Sequence, residues 1–81
     1  MTEQYATWLS VSKAALEDLS VLAYLKDTLT DKLWLMMQDA QLTLDEATVE
    51  FETQEGTAYD PDTGEPYKVY SLRASGWSTS D

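Results

Sequence analysis

The stretch LAYLKDTLTDKLWLMM, Leu22–Met37, decides the fold, because it either continues one long helix or breaks into two. Leu16, Leu19, Leu22, Leu25, Leu29, Leu33, Met36 and Ala40 recur at three- and four-residue intervals, which puts them on one helical stripe. Ser12 is placed to cap the start of that pattern. A single helix of ~30 residues would be about 45 Å long at the α-helical rise. Such a helix needs a partner along its length. As a coiled-coil seam it fails, since the heptad through Leu22, Leu29 and Met36 puts Lys32 and Asp39 at the other core position. Within Lys26–Thr30, Thr28 and Asp31 have capping-box spacing, and Thr30 is a second candidate N-cap. The two threonines also have modest helix propensity. The pattern therefore predicts a helical hairpin, residues 12–27 and 30–42.

Upstream, residues 2–11 are ambiguous, with Trp8 and Leu9 as expected core anchors. Downstream the period changes. Thr43–Glu46 repeats the capping-box spacing and reads as one helical turn. Val49, Phe51 and Thr53 then alternate with Glu50, Glu52 and Gln54, the pattern of a strand with one buried face. Tyr67–Ala74 is rich in β-branched and aromatic residues and forms a second strand. Asp60-Pro61-Asp62-Thr63-Gly64 between them has turn chemistry. The expected fold is α+β: the helical hairpin packed on a C-terminal antiparallel β-hairpin, about 48–55 and 67–74. The expected register pairs Glu50 with Arg73, Glu55 with Lys68 and Phe51 with Leu72; a tight loop favours a register two residues away, so a bulge or an open tip must reconcile the two. Residues 1–81 make one domain, with 75–81 expected as a flexible tail.

A chain of 81 residues has a small core and a thin stability margin. It contains neither Cys nor His, so disulfides and the common zinc ligands are both missing. Packing or oligomerisation must serve instead. No secretory leader and no membrane-length apolar run is visible, so a soluble, cytoplasmic protein is expected.

Fifteen acids against five bases give a net charge of −10. Nucleic-acid phosphates and anionic membranes repel such a chain, and basic proteins attract it. Acidity could also serve solubility alone. No base occurs from Leu33 through Tyr67, whereas Asp45, Glu46, Glu50, Glu52, Glu55, Asp60, Asp62 and Glu65 fall in that span.

An acidic run of this kind can serve metal binding, catalysis or partner binding. Asp60-x-Asp62 opens like a calcium loop, but Gly64 and Glu65 occupy the positions of the third ligand and the sharp-turn glycine, and Ser71 that of the bidentate Glu. No metal or other cofactor is therefore expected. Nucleophilic catalysis lacks a His base and a Cys nucleophile, so the chain reads as a non-enzyme. Binding remains. Glu50 and Glu52 project from one strand face about 6.8 Å apart, which is two phosphate steps of a DNA strand.

In size, acidity and lack of catalytic residues the chain resembles small phage-encoded inhibitors of host nucleic-acid enzymes, a class including anti-restriction, anti-CRISPR and uracil-glycosylase-inhibitor proteins. The resemblance is compositional and transfers no residue. It implies a viral protein acting in the host cytoplasm. The leading expectation is a nucleic-acid mimic that docks on a basic, nucleic-acid-binding surface of a partner protein and blocks it. Its partner-binding residues would be Glu50, Glu52, Glu55, Asp60, Asp62 and Glu65, with Tyr59 and Tyr67 as aromatic anchors. The alternative is a structural or adaptor subunit of an oligomeric assembly such as a virion, self-associating through Trp34, Met37 or Trp77. Leu33–Met37 is apolar all round the helix, so one side could face outward.

Overall fold

The structure, a computed structural model, describes residues 2–79. Its elements run β1 (Gln4–Val11), α1 (Lys13–Glu17), α2 (Leu19–Asp39), β2 (Leu44–Tyr59) and β3 (Pro66–Ser78). The fold is α+β: a three-stranded antiparallel sheet in the order β1-β3-β2, with α2 on one face.

The helical hairpin expected at Lys26–Thr30 is replaced by a break at Asp18. Ser12 caps α1, its hydroxyl accepting from the Ala15 amide at 3.1 Å. Asp18 takes an extended backbone and caps α2, its carboxylate accepting from the Ser20 and Val21 amides at 3.0 and 3.3 Å. The threonines do not cap. Their hydroxyls donate to carbonyls one turn back, Thr28 to Tyr24 at 3.0 Å and Thr30 to Lys26 at 2.9 Å. Hydroxyls satisfied in that way sit inside a continuous helix.

At its other end α2 stops in a Schellman motif. Gln41 has φ 61°, its amide donates to Gln38 O, and the Leu42 amide donates to Met37 O at 2.7 Å. Leu42 packs against the core cluster that contains Met37, as apolar residues after this cap commonly do. Residues 43–46 are therefore not helical; β2 begins at Leu44.

Residues 4–11, ambiguous in the sequence, form an edge strand. Tyr5, Leu9 and Val11 face α2, and Trp8 faces the other way, 62% exposed. Leu9 is thus a core contributor and Trp8 is not the anchor expected. The buried centre is Leu29, Leu33 and Met37 from α2 with Leu44, Leu72 and Ala74 from the sheet. The inward stripe runs 29–33–37, so Met36 turns partly outward.

The β-hairpin is longer than expected, and its register lies two residues from the expected Glu50–Arg73 pairing, because the tight loop sets it and no bulge intervenes near the tip. Glu52 lies opposite Arg73, Phe51 opposite Ala74 and Glu55 opposite Tyr70. A two-residue shift keeps every side chain on its face, so Val49 and Phe51 still point at the helix. Asp60 anchors the loop: its amide donates to Glu65 O, its carbonyl accepts from Gly64 N, and Gly64 takes φ 72°. Residues 75–78, expected in a tail, complete β3, and Ser75, Gly76 and Ser78 are buried. Residues 80–81 lie outside the described residues.

Between Asp45–Trp77 and Glu50–Ser75, β2 advances five residues while β3 advances two. This bulge is pinned by Thr48, whose hydroxyl donates to Asp45 O at 2.6 Å and accepts from the Trp77 amide at 2.8 Å.

Candidate acidic interface

Alternation along β2 and its pairing with β3 divide the expected binding residues between two faces. Glu52 shares a row with Arg73 and Trp8, and Glu50 shares one with Ser75 and Ala6, on the sheet face away from α2. Both glutamates are exposed. Arg73 lies between Glu52 and Trp8, which partly offsets the charge of that row. Together with Gln4, Phe51 and Ser75, these three charged residues line an open polar hollow.

Past Val11, which pairs with Tyr70, β1 ends and the hairpin continues alone. Gly56–Tyr59 and Pro66–Val69 form a two-stranded arm, and the molecule extends 52 Å along its longest axis. The tip lies about 25 Å from Glu52 at the usual strand rise. Glu50 and Glu52 therefore belong to the sheet body, while Asp62 and Glu65 belong to the arm's tip. The structure does not gather them into one patch.

Two of the expected carboxylates have other partners. Glu55 pairs with Lys68 at 2.6 Å, diagonally across the strands. The hydrogen bond and charge of Glu55, with a smaller contribution from Tyr70, hold the Lys68 ammonium above its usual range. Asp60 turns inward to the loop, its carboxylate accepting from the Asp62 and Thr63 amides at 2.8 and 3.4 Å. That is Asx-turn chemistry, and it shapes the tip. Asp62 and Glu65 remain exposed there. Among the described residues, no cluster of three or more His, Cys, Asp or Glu side chains is placed to hold a metal ion.

Tyr59 and Tyr67 are 65% and 52% exposed, but strand alternation puts them on opposite faces of the arm. Tyr59 shares the Glu55–Lys68 face, and Tyr67 shares the face of Val69 and Gly56. Of the two tyrosines, only Tyr67 shares the face of Glu50 and Glu52.

The residues singled out for self-association separate as well. Met37 is fully buried on the inward stripe with Leu29 and Leu33, so it cannot serve as a surface contact. Trp34 packs against the core and its indole N–H donates to Glu46 at 2.8 Å. Trp77 stands on the open sheet face, 42% exposed, in the row of Gln4 and Asp45. Sequence reading missed Trp8, the largest exposed side chain of that face. The alternation Tyr5, Thr7, Leu9, Val11 carried the signal.

No helix among the described residues is long and apolar enough to cross a membrane. No protein-family model, curated protein or solved structure matches the chain.

Proposed function

We propose that this chain is a small, acidic, non-catalytic binding protein that docks on a basic, nucleic-acid-binding surface of a partner protein and blocks it. One observation carries the reading. β2 holds Asp45, Glu46, Glu50, Glu52 and Glu55 and no base, and it lies at an edge of the sheet where a partner can reach it. Glu50 and Glu52 stand free on the open face with a phosphate-like spacing of about 6.8 Å. Asp62 and Glu65 add charge at the end of the arm. Asp60 and Glu55 play lesser parts, because turn amides and Lys68 already engage them.

The division of labour follows general interface energetics. Carboxylates steer the encounter and set orientation, while a buried aromatic supplies most of the affinity. Tyr67 and Trp77 share the face of Glu50 and Glu52 and fit that role.

The test is affinity capture from a cell lysate on the immobilised chain, with duplex DNA as competitor. Basic nucleic-acid-binding proteins should be retained at low salt, released at high salt and displaced by DNA. The variant Glu50→Lys/Glu52→Lys should lose them. Retention of the same proteins by that variant, or indifference to both salt and DNA, sinks the proposal.

A further inference from the structure

We propose that two copies of this chain pair edge to edge through β1, forming a continuous six-stranded antiparallel sheet with both α2 helices on the same face. The two free edges of the sheet are built differently. Gln4–Val11 carries no charge, no proline and no bulge, and it pairs with β3 in unbroken register from Trp77 to Tyr70. An exposed edge of that kind is a ready template for another strand, and monomeric proteins normally guard it with charge, proline or a bulge. The β2 edge is guarded twice over, by its five carboxylates and by the irregularity between Asp45 and Glu50.

Charge selects a second copy of the chain as the occupant, in one direction only. Glu3 immediately precedes β1 and Lys13 follows it by two residues; both are exposed. Parallel self-pairing would set Glu3 beside the partner's Glu3 and Lys13 beside the partner's Lys13. Antiparallel pairing sets each against its opposite. With Trp8 on the two-fold axis, Glu3 meets the partner's Lys13, and the same contact recurs at the other end. That register also keeps side chains of like environment together, which strand pairing requires. Tyr5 falls against the partner's Val11 and Leu9 against the partner's Thr7, all on the helix side. Trp8 falls against the partner's Trp8 on the open face, which covers an indole now 62% exposed.

The assembly is closed. Its two outer edges are the carboxylate-bearing β2 strands, and like charges directly opposite one another oppose further addition. Most of the net −10 of each copy also lies away from the new junction, because β1 itself is neutral. The β2 carboxylates stay free, so the reading in the preceding subsection stands or falls separately.

Sedimentation velocity on the full chain over a range of concentrations tests the proposal. The mass should move from 9.1 kDa toward twice that value as concentration rises. Trp8→Glu should weaken the dimer at least about tenfold, by placing two carboxylates at the two-fold axis and removing the indoles. Its own Arg73 neighbour offsets the new charge within each copy, so the urea midpoint checks that the variant is folded. Glu3→Lys alone and Lys13→Glu alone should each weaken association about three- to tenfold, and the double swap should restore it. Within one copy Glu3 precedes the eight-residue strand and Lys13 opens α1 beyond its far end, so a rescue reports contact between copies. A monomer at every concentration overturns the proposal. So does a dimer indifferent to Trp8→Glu, or charge swaps without rescue.

Discussion

The two edges of the sheet flank the same central strand, yet they carry opposite solutions to the same exposure. β1 is eight residues long, uncharged, and backed by α2 along its inward side chains. β2 is sixteen residues long, bulged, and loaded with carboxylates. Entry into the arm does not explain the difference. The five carboxylates of β2, Asp45 to Glu55, all precede Gly56, where the arm begins, so they lie along the body as β1 does. Of two edges of one body, one is guarded by charge and a bulge and the other is bare, and a bare edge is a template for a partner strand.

The largest effect should come from the residue that serves both edges at once. Leu72 lies opposite Leu9 on β1 and Thr53 on β2, and it is 1% exposed. Leu72→Ala should cost about 2–5 kcal/mol, read from urea unfolding, which is a large share of the stability of so small a domain. A loss under about 1 kcal/mol would mean that the sheet is not held through its centre.

Gly76 separates the edges. A Cβ there would lie 2.9 Å from Leu44 Cδ1 and 3.2 Å from Val49 Cγ2, both on the β2 side, with Leu33 at 3.6 Å. Gly76→Ala should cost about 1–3 kcal/mol by overpacking. Hydrogen exchange should quicken around the bulge more than along β1. Equal loosening of both edges would break the comparison there.

The sequence showed much of this architecture and hid the rest for identifiable reasons. The α+β class, the Ser12 cap, the inward Leu29 and Leu33, and the Asp60–Gly64 turn follow from local chemistry that the fold leaves intact. Thr28 and Thr30 misled, because a threonine hydroxyl can accept from an amide ahead or donate to a carbonyl behind, and spacing does not distinguish the two. β1 was obscured by adjacent Trp8 and Leu9, which suggested a core anchor where alternation had placed one residue on each face. Met37 sits in an apolar run that circles the helix, and its place on the inward stripe with Leu29 and Leu33 depends on which side of α2 meets the sheet. The charge pattern paired Glu55 with Lys68 but did not reveal how the other carboxylates divide: Asp60 turns to the loop amides, and Glu50 and Glu52 fall on a different part of the molecule from Asp62 and Glu65, a partition set by the loop and the length of the arm.

The smallest effect is expected on the arm, where it probes whether β2 beyond the body belongs to the cooperative core. Lys68 and Glu55 form the ion pair of the arm, and both side chains are more than half exposed. A pair so wet is screened by solvent and contributes little to global stability. Lys68→Met should therefore leave the urea midpoint unmoved while amide exchange quickens between Gly56 and Tyr59. It should also free Glu55 and strengthen low-salt retention of basic proteins, the opposite of Glu50→Lys/Glu52→Lys. If the midpoint instead falls as far as it does for Gly76→Ala, the arm unfolds with the body. The contrast between a packed edge and a solvated one would then end at Asp60 and not at Gly56.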